Sequence, residues 1–345
     1  MPFVRKKTRF DVPVNAPFAR CEPGAARQGA SSFPRYLFLL GWVVLACSRR
    51  EPPPSPPVQL PAPQVSASAA PGRVPAMELT WSFRESGVGR MSVVVVVPEH
   101  AANERLPVLI AMHGRGETLK GPERGARGWV DDYALGRATE RLAHPPLVTS
   151  DFEGFVESPR LNALNAALAQ EPYRGLIVAC PYVPDMLSGN DPFAVAPPLA
   201  HFLVDVLIPR LYAETPALGT PASTGIDGVS LGGRAAVSVG LLRPASFGAV
   251  SSLQAALDAE NGNDIAERTR QARLKNPDLR LRLLTSSGDY YRGALGSIHS
   301  TLKYAKVPHD YLVVTGPHDY AFNRGPGALE MLAYHDRVLR GREPP

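Results

Sequence analysis

The segment Gly228–Gly233 (GVSLGG) constrains the fold of this chain more than any other. A strand-like stretch, Ser223–Gly228, leads into it, and a helix-like stretch, Arg234–Leu242, follows it. A strand that turns into a helix within so few residues holds the intervening Ser230 at a strained backbone position with its hydroxyl exposed. Glycine is required beside it because larger side chains would clash there. The pattern therefore predicts a nucleophile elbow with Ser230 at its tip.

Two later segments carry the partners that such a serine needs. Attack on an acyl carbonyl requires a histidine base and a carboxylate that orients it. Ser286–Asp289 (SSGD) directly follows the β-like run Leu279–Thr285. Gly316–Asp319 (GPHD) directly follows the β-like run Asp310–Thr315. Serine, acid and histidine thus stand in one of the chain orders known for this constellation, each after a strand.

His318 is the base that this order predicts, because among the eight histidines it alone has the right place in chain order, directly after a strand that follows the acid-bearing one. Asp289 is the predicted acid. Asp319 competes for that role, but a carboxylate adjacent to the base in sequence does not easily reach the far ring nitrogen. Asp258 and Asp264 are further competitors, and they precede the strand that should carry the acid.

Acyl transfer also needs hydrogen-bond donors for the oxyanion. The backbone N–H of Leu231, the residue after the nucleophile, is one predicted donor. A second is expected in the turn His113–Gly116, which follows the buried-strand pattern Leu106–Met112. Arg115 is the first candidate in that turn and Gly116 the next. The histidine that opens the turn is predicted to fix the loop by hydrogen bonds and not to act as a base.

These segments resemble the α/β-hydrolase superfamily, and within it the esterase group that includes esterase D-like enzymes, enterochelin esterases and mycolyltransferases. The resemblance extends from about Met77 to the C-terminus. It implies an α/β-hydrolase fold, with a mostly parallel central sheet and helices on both faces, to which this chain is predicted to add a helical insertion after the third strand. It also implies that Ser230, His318 and Asp289 form the catalytic triad. The matching segments are His113–Gly116, Gly228–Gly233, Gly288–Asp289 and Gly316–Phe322.

The chain departs from that group at two places. Asp227 puts a charge just before the elbow, where an apolar residue is usual. The segment 117–173 is unusually long, and a loop of that length rarely lacks structure. Helices are therefore predicted over Asp131–Leu142 and Ser158–Ala169, in a cap-like insertion that walls the substrate pocket. Its candidate lining residues are Trp129, Tyr133, Phe152 and Phe155, although for each one individually packing of the insertion onto the body is the favoured interpretation.

The remaining chain alternates strand and helix patterns, as a mostly parallel sheet with helices on both faces requires. The other predicted strands are Glu78–Glu85, Met91–Val97, Leu176–Ala179 and Phe247–Leu253. The other predicted helices are Pro198–Tyr212, a helix near Asp264–Leu274, Gly296–Lys306 and Ala328–Leu339.

Residues 1–47 read as an export leader. Tyr36–Ala46 is an apolar run of eleven residues, too short for a bilayer span of about 20 but suited to a signal peptide. It ends in Val44–Cys47, which resembles a bacterial lipobox and implies lipidation of Cys47. An ordinary signal peptide and a short buried helix are the alternatives. The leader predicts an exported, membrane-anchored lipoprotein facing the periplasm or the cell surface, or else a secreted protein.

Residues 48–76 form a proline-rich stretch, with nine prolines between Arg49 and Pro75. With almost no large apolar residues, this stretch is predicted to be an extended, disordered tether. The catalytic domain is then residues 77–345, with 117–173 as its insertion.

Charge and cysteine content limit the partners. The sequence pI is about 9.2, yet residues 51–345 hold 28 basic and 30 acidic residues, so the basic character belongs to the leader. No basic helix or aromatic-basic face indicates nucleic-acid binding. The cysteines, Cys21, Cys47 and Cys180, leave one thiol in the catalytic domain, and no spacing predicts a metal site or a cofactor.

These features predict a serine hydrolase that cleaves carboxylic esters through an acyl-enzyme intermediate. Its expected partner is a small-molecule or polysaccharide-linked ester, and it meets a membrane only through the N-terminal anchor. The alternative is an acyltransferase with the same triad and a non-water acceptor. A non-catalytic surface binding protein of the same fold is the third reading.

Overall fold

An eight-stranded sheet forms the centre of the computed structural model, which describes residues 73–84, 86–187 and 191–345. In chain order the strands are β1 (Met77–Phe83), β2 (Met91–Val97), β3 (Val108–Met112), β4 (Ile177–Pro181), β5 (Thr224–Gly228), β6 (Ala249–Leu253), β7 (Arg280–Gly288) and β8 (Asp310–Pro317). Across the sheet they run in the order β1-β2-β4-β3-β5-β6-β7-β8.

The sheet is antiparallel at one end and parallel elsewhere. β2 pairs antiparallel with both β1 and β4, and every other neighbouring pair is parallel. The carboxyl ends of β3, β5, β7 and β8 therefore meet at one edge of the sheet. Met112 at the end of β3 is in register with Gly228 at the end of β5, which places the two following turns side by side.

Helices cover both faces. The longer ones are α1 (Leu135–Ala143), α2 (Ser158–Gln170), α3 (Pro197–His201, continuing through a π-helical stretch, Phe202–Leu207, into Ile208–Glu214), α4 (Leu231–Leu242), α5 (Gly262–Lys275), α6 (Arg292–Tyr304) and α7 (Ala328–Val338). Short helical turns span Arg115–Thr118, Pro122–Gly125, Gly128–Asp132, Thr149–Phe152, Pro221–Ser223, Pro244–Ser246, Ala259–Asn261, Tyr320–Phe322 and Asn323–Gly327.

The core has two halves, one on each face of the sheet. In β3, Ile110 and Met112 face the layer of α3, α4, α5 and α6, while Leu109 and Ala111 face α1, α2 and α7. Both faces are thus removed from water, which is why the central strands read as unbroken apolar runs and not as alternating patterns.

The predicted strands and helices are all present, with shifted ends. One of the two largest shifts is in the insertion, where the helix predicted from Asp131 begins at Leu135. Residues Gly128–Asp132 form a separate π-helical turn, and Ala134 adopts a left-handed conformation with φ 53°, which interrupts the helix. Similarly, β7 continues to Gly288 and α6 begins at Arg292.

Several N-terminal predictions lie outside the described residues, namely the leader 1–47, Cys47 and most of the tether 48–76. Arg73–Val74 pairs antiparallel with His100–Ala101, so regular structure begins before Met77. Among the residues that the structure describes, none of the helices has the length and apolar character that crossing a membrane requires.

Candidate active site

Ser230 lies at the turn between β5 and α4. Its φ of 56° and ψ of −114° are strained values for a residue with a side chain. Two hydrogen bonds hold the turn against β6 and the loop after it: Ser230 N donates to the carbonyl of Leu253 at 2.9 Å, and Ala256 N donates to the carbonyl of Ser230 at 2.9 Å. The serine is therefore fixed at the tip of a strand-to-helix turn.

Asp289 and His318 are brought into direct contact. His318 Nδ1 lies 2.7 Å from Asp289 Oδ1. The buried carboxylate is itself oriented, because Oδ1 accepts the N–H of Tyr291 at 2.9 Å and Oδ2 accepts the hydroxyl of Thr285 at 2.6 Å. An ionised carboxylate can only accept, so Nδ1 carries a proton, and Nε2 is the ring nitrogen that faces away from Asp289.

Tyr290 links this pair to the serine. Its ring lies tilted by 31° over His318 with 4.0 Å between centroids, and its hydroxyl interacts with the side chain of Ser230. Ser230 and His318 thus contact the same side chain, which is 69% exposed. The sequence reasoning missed Tyr290, whose one signal was its place beside Asp289.

The competing carboxylates have other partners. Asp319 accepts the N–H groups of Ala321 and Phe322 and so caps the turn that follows it. Asp264 pairs with Arg268 on α5 at 2.8 Å. Asp258 stands at the start of the turn Ala259–Asn261. Asp289 is therefore the carboxylate that the structure places on His318.

The turn that carries His318 is held from beneath by Gln254. The amide of this residue donates to the hydroxyl of Ser286 at 2.6 Å and to the carbonyl of Pro317 at 2.7 Å. Ser286 donates in turn to the carbonyl of Gly316 at 2.7 Å. These hydrogen bonds fix the backbone of Gly316 and Pro317, which directly precedes His318.

The predicted oxyanion donors belong to first helical turns. Leu231 is the first residue of α4, and Arg115 and Gly116 open the turn Arg115–Thr118. N–H groups at such positions have no partner within their own helix. The two segments are close together, since a Cβ placed on Gly114 would lie 3.8 Å from the Cβ of Ser230.

Several solved structures have a fold similar to that of this chain. A ferulic acid esterase matches with a TM-score of 0.56 at 14% identity, over 77% of this chain and 99% of its own. S-formylglutathione hydrolase FrmB from Staphylococcus aureus matches with a TM-score of 0.54 at 14% identity, over 76% and 99%. This chain has the α/β-hydrolase fold. No family model matches the sequence, and no curated protein matches it as a relative.

The predicted α/β-hydrolase fold is confirmed, and so is the expected place of its insertion after β3. Trp129, Tyr133 and Phe152 of the insertion are fully buried and pack it onto the body. Phe152 also borders a cavity of about 320 Å³ along β8, together with Phe155. Phe155 is only partly buried and so keeps a free face, but the cavity that this face borders is lined by none of Ser230, Asp289 and His318.

The largest cavity described, about 1110 Å³, lies elsewhere. It is lined by residues at the amino ends of strands, among them Gly248, Arg280 and Asp310. Ligands of open α/β sheets bind at the carboxyl ends of the strands, so we assign the site to the Ser230 edge despite the greater size of this cavity. Among the described residues, no group of three or more His, Cys, Asp or Glu side chains is placed to hold a metal ion.

Asp227, the unusual charge before the elbow of this α/β-hydrolase fold, is neutralised within the core. Its Oδ1 accepts the N–H of Gly228 at 2.7 Å, and its Oδ2 lies 3.1 Å from Nε2 of His335. The guanidinium of Arg282 lies 3.8 Å from the same oxygen. The charge has partners on β7 and α7, which the sequence around the elbow does not reveal.

His113 has the loop-fixing role that the sequence predicted. Its Nδ1 lies 2.8 Å from the carbonyl of Gly114, and its Nε2 lies 2.9 Å from the N–H of Val183. A carbonyl can only accept and a backbone N–H can only donate. The ring is therefore neutral, with its proton on Nδ1 and an acceptor at Nε2.

We expect this histidine to make the fold sensitive to acid. Burial lowers the pKa of His113 to about 4, against about 6.5 in the unfolded chain. Above pH 6.5 neither the folded nor the unfolded chain binds this proton, and the contribution of His113 to stability is fully present. As the pH falls from 6.5 to 4, only the unfolded chain binds the proton, so the free energy of unfolding decreases. A shift of this size corresponds to about 3 kcal/mol in the free energy of unfolding.

Urea unfolding at several pH values, on the protein and on His113→Gln, measures this contribution. Glutamine retains an acceptor for the N–H of Val183 but has no proton to gain in this range. Other groups that titrate, including the buried His335, act equally in both proteins. The stability of His113→Gln should therefore fall less steeply below pH 6.5, and parallel curves would contradict the assignment.

Proposed function

We propose that this chain is a serine hydrolase of carboxylic esters, with Ser230 as nucleophile, His318 as general base and Asp289 as the acid that orients the base. The 2.7 Å bond between Asp289 and His318 is the observation that carries the proposal. It is supported by the strained turn at Ser230 and by Tyr290, which contacts both the serine and the histidine.

In the first half of the reaction, Ser230 Oγ bonds to the ester carbonyl carbon while its proton passes to Nε2 of His318. The carbonyl electron pair moves onto the oxygen, which accepts hydrogen bonds from the backbone N–H groups of Leu231 and of Arg115 or Gly116. When the carbonyl re-forms, the bond to the alcohol oxygen breaks. That oxygen takes the proton from Nε2, and the acyl group remains on the serine.

Water completes the cycle by the same steps, with His318 accepting a proton from the attacking water and returning it to Ser230. Transfer to another acceptor would require water to be kept away from the acyl-enzyme. Instead, Tyr290 and Tyr320 beside the site are 69% and 39% exposed. This exposure favours hydrolysis over acyl transfer.

The substrate class is a small-molecule or polysaccharide-linked ester. The similar folds are named for ferulic acid esterase and S-formylglutathione hydrolase activities, which makes aromatic acyl esters and small thioesters the first candidates. Tyr290 and Tyr291, with ring centroids 4.7 Å apart, form an aromatic surface beside His318 that suits planar groups.

The test is covalent labelling with a fluorophosphonate probe, followed by identification of the modified peptide. The label should appear on Ser230 and be absent from Ser230→Ala. Ser238→Ala is the matched control, since Ser238 lies on α4, where its hydroxyl donates to the carbonyl of Arg234, and should label normally. Labelling that persists in Ser230→Ala would refute the assignment.

A panel of p-nitrophenyl esters of increasing chain length, with feruloyl esters and acetylated sugars, then identifies the acyl group that the site prefers. Product analysis with and without added alcohol acceptors separates hydrolysis from transfer.

A further inference from the structure

A buried carboxylate, Glu117, lies beside the proposed site and has no part in the mechanism above. Its side chain is 1% exposed. The hydroxyl of Tyr320 donates to Oε1 at 2.6 Å, and the hydroxyl of Tyr133 donates to Oε2. Nζ of Lys120 lies 3.6 Å from Oε1. Such a group is costly to bury unless it is paired, so its position needs an explanation.

The hydrogen bonds through Tyr133 have a fixed direction. The N–H of Gly114 donates to the Tyr133 oxygen at 3.2 Å, so the single phenolic proton is left for Glu117. Burial, the charge of Glu117 and the bond to it raise the pKa of Tyr133 well above its ordinary value. The hydroxyl therefore stays protonated. Through it, two hydrogen bonds connect the carboxylate of Glu117 to the backbone N–H of Gly114.

The three groups come from three different segments of the site. Glu117 follows β3 in the turn that contains Arg115 and Gly116, Tyr133 belongs to the insertion, and Tyr320 stands two residues after His318. Tyr320 also touches the first segment directly, since a Cβ on Gly116 would lie 3.1 Å from its hydroxyl oxygen.

We propose that Glu117 is a positioning residue. Its hydrogen bonds to Tyr133 and Tyr320 hold the turn His113–Gly116, here called the oxyanion loop, at a fixed distance from the turn that carries His318. This inference rests on the proposed function. It explains how the oxyanion donors and the base are held at a fixed distance from each other. The side chain that does this is not itself a member of the triad.

The role is geometric and not electrostatic. A negative charge near a developing oxyanion opposes catalysis unless it is neutralised. Here both hydroxyl protons and Lys120 face the carboxylate, and Lys120 is held by Asp132 at 2.7 Å. Glu117→Gln should therefore lose little, because Tyr320 can reverse its hydroxyl and accept from the new amide. Glu117→Ala should lose far more.

The decisive variants are Tyr133→Phe, Tyr320→Phe and the double variant, with Tyr212→Phe as control. Tyr212 bonds to the hydroxyl of Thr224 at 2.5 Å near the amino end of β5, away from the site. Tyr133→Phe leaves the N–H of Gly114 unpaired and should lower kcat about 10-fold to 100-fold, below the 10²–10³-fold cost of losing an oxyanion donor outright. KM should stay within about twofold, and the double variant should fall short of the product of the single losses.

The readouts separate this inference from its alternatives. A merely structural contact would shift Tm while leaving kcat per folded molecule unchanged, as we expect for Tyr212→Phe, and that result in Tyr133→Phe would overturn the inference. Independent losses in the double variant would overturn the link through Glu117. If the unmodified protein does not label with fluorophosphonate at Ser230, the proposed function fails first. If it labels and Tyr133→Phe labels equally fast, only the positioning role fails.

Discussion

Replacing His318 with alanine is expected to lower kcat for ester hydrolysis by about 10⁴-fold or more, because the variant lacks the base that we propose accepts the proton of Ser230. Binding of the ester depends on other side chains, so KM should change much less. The residual rate above the uncatalysed reaction should come from the oxyanion donors and from binding alone.

Asp289→Asn tests the orienting role with almost no change of shape. An asparagine that turns its amide toward Nδ1 donates to that nitrogen and forces the ring proton onto Nε2, which then cannot accept from Ser230. We expect kcat to fall about 10⁴-fold, the size of effect produced by the wrong tautomer in serine proteases. Steady-state kinetics on a p-nitrophenyl ester, with circular dichroism to verify folding, measures it.

Asp264→Asn is the control for this variant, since Asp264 was a competing candidate and pairs with Arg268 at the surface of α5. Exposed pairs of this kind contribute about 1 kcal/mol or less to stability. The control should therefore keep its activity. An active Asp289→Asn enzyme, or an inactive Asp264→Asn enzyme, would contradict the assignment of the acid.

The parts of this site that were predictable depend on local patterns. The glycines on either side of Ser230 predict a tight strand-to-helix turn. The apolar run Met91–Val97 coincides with β2, because both faces of that strand are buried. The order of Ser230, Asp289 and His318 could be interpreted because strand ends in a parallel sheet meet at one edge. Each inference needed only a few consecutive residues and a rule about the sheet.

The parts that were missed depend on contacts between distant segments. Glu117 reads as an ordinary polar residue in a turn until the fold brings Tyr320 to it from 203 positions away. Asp227 reads as a charge without a partner before the elbow until the fold brings His335 to it from 108 positions away. The length of the insertion predicted that it contains helices, but length says nothing about which aromatic side chains are buried beneath them.

Replacing Gly232 with alanine is expected to cause the second large effect, a loss of stability. In the first turn of α4, a Cβ on Gly232 would lie 2.4 Å from the carbonyl oxygen of Met112 and 2.5 Å from that of His113. Both atoms are backbone at the end of β3, so no rotamer change can relieve the overlap. Gly232→Ala must push α4 away from β3, and we expect it to lower the free energy of unfolding by about 3 kcal/mol or more.

The same displacement would move the N–H of Leu231 away from the predicted oxyanion position, so kcat of the folded fraction should fall together with stability. Gly136→Ala is a close control, because Gly136 is likewise the second residue of a helix but a Cβ added to it would have no atom within 4 Å. Alanine there should be neutral or should stabilise by up to about 1 kcal/mol. Urea unfolding and steady-state kinetics on both variants compare the two effects. Equal stability and activity in the two variants would mean that α4 and β3 can separate without cost. It would contradict the assignment of Gly232 as the residue that allows the elbow to approach the turn His113–Gly116 closely.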